Sequence, residues 1–346
     1  MMCILAQAKI SQFEQGVLIV GWMIFQIILS LFILALAADR FVKCAIDLSL
    51  RMQWSPLLIG SILVGFATTF PEMLVSLIAV QKHHVGISLG NALGSYVANI
   101  GLVLGCIACI RELKVDAALF KRELPILTFS VLLTVTLLLD QFLGYWDGII
   151  LLITLGVLMI GLIKTIRSEK TSKIYSKLEV NSTILHSLQY DLMMFVLSLS
   201  GLVLSAHFLI EAAAQLAHYF GVSDLVIGLT VVAIGTSLPE LVTSLMCMKH
   251  GQDDMALGNV IGSNVLGVLG VIAIPALLSP GPVEFSVIWR DCVAMLFMTL
   301  ALWVFIYNDI SKASMIKRWE GAVLLMLFMI YIGVTIIATP NVTMLS

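Results

Sequence analysis

Ten apolar runs divide the sequence, and polar residues separate each run from the next. Each run is long enough to cross the roughly 30 Å hydrocarbon core of a bilayer as an α-helix. The runs cover residues 17–38, 56–80, 86–110, 124–143, 146–165, 190–217, 224–248, 255–279, 286–307 and 320–340. This pattern predicts an all-α integral membrane protein with ten transmembrane helices.

The sequence also matches itself when it is shifted by 168 residues. Between 55–99 and 223–267, 16 of 45 positions are identical without a gap, and the matches include proline, glutamate, asparagine and glycine. Each copy lies in a half of five spans, and this odd number forces the two halves to cross the membrane in opposite directions. We therefore predict two inverted five-helix repeats, an architecture in which secondary transporters place the substrate site near the bilayer midplane.

The two halves cover residues 1–165 and 190–346, and the polar segment 166–189 reads as a linker between them. No small-residue cleavage pattern precedes the first apolar run, so we expect a retained span rather than a signal peptide. No other stretch is suited to a soluble regulatory domain, which indicates a prokaryotic cell membrane.

The basic residues predict the orientation. With the N-terminus outside, 16 of the 19 lysine and arginine residues fall on the inner side, and Lys9, Lys82 and Arg290 fall outside. The opposite orientation would invert this ratio, against the positive-inside rule. We expect both termini outside and the linker in the cytoplasm.

Composition agrees with a lipid environment, because 60% of the residues are hydrophobic, 12% are charged and the mean hydropathy is +1.07. The net charge of −2 argues against a nucleic-acid partner. Motifs of hydrolases, intramembrane proteases and ATP-driven pumps are absent, so we expect a protein that is not an enzyme and has no cofactor. Its expected partners are the lipid bilayer and small ions, and we expect a monomer.

Two glutamates occupy equivalent positions in the middle of predicted spans, Glu72 in the first half and Glu240 in the second. A charge at the bilayer centre costs about 2.5–3.5 kcal/mol on insertion scales. Two symmetric carboxylates at this depth require a compensating cation or a proton. The alternative is a structural pair of protonated glutamates that join helices by hydrogen bonds.

A proline precedes each glutamate. Because Pro71 and Pro239 have no N–H, carbonyls near Ala67 and Gly235 lose their helical donor, and we expect a distorted turn at each place. Freed carbonyls are hard oxygen donors that suit Na⁺ and Ca²⁺. A simple kink is the alternative, and it is compatible with an ion site.

Hydroxyl side chains complete each motif. Thr68 and Thr69 in the first half, and Thr236 and Ser237 in the second, lie three or four residues before the glutamate on the same helix face. No sulfur or imidazole accompanies these oxygens. The donor set indicates an alkali or alkaline-earth cation rather than zinc or copper.

The spans that follow share a Gly-Asn-x-x-Gly-Ser motif. Its glycines, at positions 90, 94, 258 and 262, are spaced for close approach between helices. Ser95 and Asn99 are one turn apart on a face that we expect to point toward the site, and Ser263 holds the matching place in the second half. The position equivalent to Asn99 is Gly267, which has no side chain to offer.

These motifs resemble the Na⁺/Ca²⁺ exchanger branch of the Ca²⁺:cation antiporter superfamily. The second half carries AIGTSLPE at 233–240 and GNVIGSN at 258–264, and the first half carries looser copies, GFATTFPE at 65–72 and GNALGSYVAN at 90–99. The resemblance covers both family repeats in order. It implies a ten-helix fold and a secondary active antiporter that exchanges Ca²⁺ for Na⁺ by alternating access.

The resemblance also implies the ion ligands: two glutamates, hydroxyls, carbonyls at the helix break and polar side chains of the next span. These positions are Glu72, Glu240, Thr68, Thr69, Thr236, Ser237, Gly65, Ala233, Ser95, Asn99 and Ser263. Gly267 stands where the family usually has Asp or Asn, and Tyr96 where it usually has Asn. Two glutamates still neutralise one Ca²⁺, whereas the lost ligand bears on how many Na⁺ ions are held.

Other classes of function stay open on the sequence alone. A proton-coupled cation antiporter of similar fold fits, because glutamates carry protons and Gly267 weakens a site for several Na⁺ ions. A cation channel with a carboxylate selectivity ring fits less well, because the inverted repeat suits alternating access to one site. A structural membrane protein without transport activity is the third alternative.

Overall fold

The computed structural model describes residues 2–52, 55–82, 85–115, 119–168, 187–220, 233–307 and 315–338, which form ten helical segments and four short strands. The segments are α1 (Met2–Met52), α2 (Pro56–Leu58, Ile59–Val64 and Gly65–Gln81), α3 (Val85–Ala98, Asn99–Leu104 and Gly105–Ile110), α4 (Leu119–Glu123 and Leu124–Leu138), α5 (Tyr145–Ser168), α6 (Leu188–Tyr219), α7 (Ala233–Thr236 and Leu238–Lys249), α8 (Asp253–Leu266, Gly267–Val271 and Ala273–Leu278), α9 (Val287–Cys292 and Val293–Tyr307) and α10 (Arg318–Ala338). The strands are β1 (Leu113–Lys114), β2 (Phe142–Leu143), β3 (Gly281–Pro282) and β4 (Met315–Ile316).

The helical segments agree with the predicted spans. Within the described residues, eight of them are long and apolar enough to cross a membrane. Of the other two, α4 begins with the charged residues 121–123, and α7 is described only from Ala233, so the start of the predicted span 224–248 lies outside the described residues. Most of the predicted linker 166–189 lies outside them as well. α1 continues well past the predicted boundary at 38, because no proline or glycine follows to end the helix.

The 168-residue repeat recurs in the secondary structure. Asn99–Leu104 of α3 and Gly267–Val271 of α8 are π-helical stretches at equivalent positions, and β1 is equivalent to β3. Leu119–Glu123 at the start of α4 likewise corresponds to Val287–Cys292 at the start of α9. π-Helical stretches are rare, so their recurrence at one spacing shows that the halves are copies of one structure.

Two small sheets establish that the copies are inverted. β1 pairs with β4 and β2 pairs with β3, so each sheet joins the two halves. α4 leads from β1 to β2, and its 20 residues span about 30 Å, so the sheets lie at opposite ends of the bundle. The equivalent helix α9 leads from β3 to β4 and therefore runs the opposite way. The predicted pair of inverted repeats is confirmed.

Helices α2 and α8 approach each other so closely that their backbones are in contact. A Cβ atom on Gly262 would overlap the backbone of Ser61, and one on Gly258 would overlap the carbonyl oxygen of Leu57. The predicted role of these two glycines is confirmed. In the first half, a Cβ on Gly90 would meet no atom of the described residues within 4 Å, and the residues equivalent to Leu57 and Ser61 lie outside the described part of the chain.

Helices α1 and α6 pack against each other and contain none of the predicted site residues. The Arg51 guanidinium Nε lies 2.8 Å from the Asp191 carboxylate. Nearer the N-terminus of α1, the Asp39 carboxylate lies 3.0 Å from Nε2 of His250, at the end of α7. The first contact joins α1 to α6, and the second attaches this pair to α7, which carries part of the predicted site.

Candidate functional site

The predicted site residues lie on α2, α3, α7 and α8, in the interior of the bundle. All nine predicted side chains with an oxygen donor are buried, and none is more than 5% exposed. They are Thr68, Thr69, Glu72, Ser95, Asn99, Thr236, Ser237, Glu240 and Ser263. Of the two predicted carbonyl donors, Gly65 is buried at the end of a π-helical stretch, and Ala233 begins the described part of α7.

The two glutamates approach each other from opposite halves of the protein. Glu72 is 1% exposed and Glu240 is 0% exposed, and their carboxylates are close enough to repel each other. The Ser95 hydroxyl lies beside Glu72 and the Thr68 hydroxyl beside Glu240, in both cases outside hydrogen-bonding geometry. No ion pair among the described residues involves either glutamate. Two like charges in such a buried, low-dielectric environment require a bound cation or protons.

Three oxygens from the two halves form a triangle. The Thr68 hydroxyl lies 3.3 Å from the Gly65 carbonyl oxygen and 3.2 Å from the Ser263 hydroxyl, and the Ser263 hydroxyl lies 3.3 Å from the same carbonyl. If the triangle is one face of a regular octahedron, the centre of that octahedron lies about 2.3 Å from each oxygen, a distance within the range for Ca²⁺ and oxygen. The triangle therefore has the dimensions of one face of a site for a hard cation.

Buried oxygens without a hydrogen-bond partner concentrate in the same residues. Buried polar atoms in proteins are almost always hydrogen-bonded. Within the described residues, one carboxylate oxygen of Glu72 and both of Glu240 have no such partner. The same holds for side-chain oxygens of Thr69, Ser95, Asn99 and Ser237. These carboxylate, hydroxyl and amide oxygens form a donor set that suits Na⁺ or Ca²⁺.

Contacts in the structure connect some of the predicted site residues with one another, but not all of them. Gly65, Thr68, Ser263, Ser95 and the two glutamates are linked by the distances and charge interactions given above. The remaining positions lie buried on the same helices, and their contribution to one site stays a prediction. They are Thr69, Asn99, Thr236 and Ser237. The contribution of the Ala233 carbonyl, at the start of the described part of α7, likewise stays a prediction.

The two prolines have different effects. α7 is interrupted at Ser237, two residues before Pro239, where the backbone leaves the helix with φ −90° and ψ 2°. α2 stays helical over Gly65–Gln81 with Pro71 inside it. The predicted distortion is confirmed in the second half and is wrong for the first. The turn before Pro71 lies against the backbone of α8 at Gly262. Membrane helices tolerate an internal proline where neighbouring helices surround it.

Two asparagines that had no predicted role hold the backbone of the glutamates. The side-chain amide of Asn91 donates to the Glu72 carbonyl oxygen at 3.2 Å, and that of Asn259 donates to the Glu240 carbonyl oxygen at 3.4 Å. The two contacts are equivalent under the 168-residue repeat. Their signal in the sequence is the identity of Asn91 and Asn259 in register, within motifs whose glycines and serines already had predicted roles.

Gly267 and Tyr96 depart from the family pattern, and the structure shows what surrounds each of them. Gly267 begins a π-helical stretch, as its counterpart Asn99 does. A Cβ on Gly267 would meet no atom of the described residues nearer than the Ala92 carbonyl oxygen at 4.0 Å, so the backbone there has room for a Cβ atom. The Tyr96 hydroxyl lies 2.7 Å from the Thr299 hydroxyl on α9, which occupies its polar atom in a helix contact.

Known proteins resemble this chain over nearly all of its length. The family model described as Sodium/calcium exchanger protein matches residues 22–164 and 190–337. CaxA of Alkalimonas amylolytica, provisionally named an antiporter, is 35% identical over 315 residues, with 88% of this chain and 96% of that protein covered. Sodium/calcium exchanger MaX1 of Methanosarcina acetivorans is 28% identical over 347 residues, with 89% and 97% covered.

A solved structure has the same fold. The sodium-calcium exchanger NCX_Mj, soaked with 2.5 mM Na⁺ and 0.1 mM Ca²⁺, superposes with a TM-score of 0.76 at 32% identity. The match covers 90% of this chain and 98% of that chain. Together with the inverted strand pairing, this similarity confirms the predicted fold class.

Proposed function

The chain belongs to the sodium/calcium exchanger family, and on this premise we propose that it is a secondary active antiporter that exchanges Ca²⁺ for Na⁺. The observation that carries the proposal is the meeting of two buried carboxylates, one from each inverted repeat, beside hydroxyl and carbonyl oxygens. A site between inverted repeats is suited to alternating access, in which an ion is reached from one side of the membrane at a time.

The charge of the site accounts for coupling between the two ions. Glu72 and Glu240 carry −2 when ionised, which one Ca²⁺ or two Na⁺ ions neutralise. Both ions use the same hard oxygens, so they compete for the site. The empty site would expose two charges to a low-dielectric interior, so we expect the protein without a bound ion to switch slowly between its inward-facing and outward-facing states. Net transport of one ion then requires return of the other.

We propose that the full predicted ligand set acts in this site. Gly65, Thr68 and Ser263 would supply one face of the coordination shell, and the two glutamates would supply its charge. The carbonyl at position 233 and the other polar side chains would complete the site as ions of different size and number are bound. These other side chains are Thr69, Ser95, Asn99, Thr236 and Ser237.

The proposal includes the orientation of the protein in the membrane, its oligomeric state and the kind of membrane. We place the end that carries β1 and β4 in the cytoplasm, because the basic residues Arg111, Lys114, Lys317 and Arg318 gather there. Both termini then lie outside, and the segment 166–189 joins the two halves as a cytoplasmic linker. We further propose a monomer in a prokaryotic plasma membrane, whose function is transport rather than catalysis.

Transport in liposomes tests the proposal directly. Purified protein is reconstituted, the liposomes are loaded with Na⁺, and they are diluted into Na⁺-free buffer that contains ⁴⁵Ca²⁺. We expect Ca²⁺ uptake that requires internal Na⁺ and stops when the Na⁺ gradient is collapsed. Uptake driven by a pH gradient without Na⁺ would contradict Na⁺ coupling, and flux without any counter-ion would contradict antiport.

The substitution Gly267→Asp should strengthen Na⁺ binding. A Cβ atom at Gly267 would meet no atom of the described residues nearer than 4.0 Å. An added carboxylate attracts Na⁺ electrostatically, so we expect half-saturation at a Na⁺ concentration about tenfold lower. Gly267→Asn adds an oxygen without charge, and Gly267→Ala adds only volume. Similar Na⁺ dependence in the Asp and Ala variants would show that this position does not face the ion.

A further inference from the structure

Asn259 of α8 contacts both glutamate-bearing helices. Its amide nitrogen donates to the Glu240 carbonyl oxygen at 3.4 Å and to the Ser244 hydroxyl at 3.0 Å, both on α7. Its amide oxygen lies 3.1 Å from the Thr68 hydroxyl on α2. A carbonyl can only accept, so the Glu240 contact requires the nitrogen on that side and leaves the oxygen facing Thr68.

This orientation determines where the hydroxyl hydrogens go. Thr68 and Ser263 have one hydroxyl hydrogen each, and the acceptors around them include the Asn259 amide oxygen and the Gly65 carbonyl oxygen. Both of these acceptors receive a hydrogen bond if Thr68 donates to Asn259 while Ser263 donates to Gly65. The lone pairs of the Thr68 oxygen then point into the triangle, toward the place where a cation would lie.

We propose that Asn259 is a positioning residue of the ion site. Its amide oxygen accepts the Thr68 hydroxyl hydrogen, so that Thr68 presents its lone pairs to the transported cation, and its amide nitrogen holds the Glu240 carbonyl. The inference rests on the proposed function and adds a residue that does not touch the ion itself. Asn259 is 0% exposed, and it links α8 to one helix from each repeat.

Asn91 provides the matched comparison within the same chain. It makes the equivalent hydrogen bond to the Glu72 carbonyl oxygen. In the described residues it makes no hydrogen bond to Thr68, which is bonded to Asn259 instead. Substitution of Asn91 therefore removes the support of a glutamate carbonyl without disturbing the hydrogen of the Thr68 hydroxyl.

A double-mutant cycle separates this role from general support of the fold. Thr68→Val, Asn259→Leu and their combination are purified, and the rise in unfolding temperature on addition of CaCl₂ gives the apparent Ca²⁺ affinity. We expect each single substitution to weaken Ca²⁺ binding about tenfold. The double variant should be less than threefold weaker than Asn259→Leu, because Thr68 is already misoriented there. The control cycle of Thr68→Val with Asn91→Leu should be additive.

Asn259→Asp keeps the proposal testable if the Leu variant does not fold. Asp retains an oxygen toward Thr68, so Thr68→Val should still weaken Ca²⁺ binding about tenfold in this background. Additive effects in the Asn259→Leu cycle, or loss of the Thr68 effect in Asn259→Asp, would overturn the inference. Absence of Na⁺-driven uptake by the wild-type protein, with Ca²⁺-induced stabilisation intact, would overturn only the proposed exchange.

Discussion

Transport will be lost when either Glu72 or Glu240 is replaced by Gln, while the helical fold is kept. Each substitution removes one of the two charges that neutralise Ca²⁺, and a pair of unit charges about 4 Å apart contributes about 4 kcal/mol at a protein-like dielectric constant. This corresponds to a loss of affinity on the order of a thousandfold. Na⁺-driven ⁴⁵Ca²⁺ uptake and Ca²⁺-induced stabilisation should both disappear.

The fold should tolerate these substitutions for a specific reason. One carboxylate oxygen of Glu72 and both of Glu240 have no hydrogen-bond partner in the described residues, and the two carboxylates repel each other. Gln has nearly the same shape, so without divalent cations each variant should unfold at the wild-type temperature or above it. Glu211→Gln, at a 54% exposed position on α6, is the control and should transport normally. Ca²⁺ uptake retained by both single variants would refute the site assignment.

Gly262→Ala will prevent α2 and α8 from packing and will leave little folded protein. The added Cβ would overlap the backbone of Ser61, and backbone atoms cannot rotate away as a side chain can. Overpacking of a well-ordered interior typically costs 1–3 kcal/mol, and a clash with backbone on both sides should exceed about 3 kcal/mol. The yield of monodisperse protein and the unfolding temperature in detergent measure the effect.

Gly156 on α5 is the matched control for this prediction. A Cβ there would meet no atom of the described residues within 4 Å, and the residue lies within a continuous helix. Gly156→Ala should be neutral or stabilise the protein by up to about 1 kcal/mol, because alanine favours helix. A Gly262→Ala variant as stable as Gly156→Ala would show that the helices can separate at little cost.

The sequence by itself determined the number of spans, the inverted repeat and the depth of the two glutamates. The hydrocarbon thickness sets the length of each apolar run, and this length is a local property of the chain. The repeat was detectable because it preserves proline, glutamate and asparagine, which apolar helices do not share by chance. Burial of Glu72, Glu240 and the neighbouring hydroxyls follows from the same local pattern.

Only the tertiary structure decided which half supplies each contact. The two halves carry almost the same motifs, yet α7 breaks before Pro239 while α2 stays helical through Pro71. The meeting of Thr68 with Asn259 and Ser263 joins residues 191 and 195 positions apart, which depends on how closely α2 and α8 approach. Helix packing sets that distance, and no local periodicity encodes it, so the role of Asn259 emerged only from the assembled bundle.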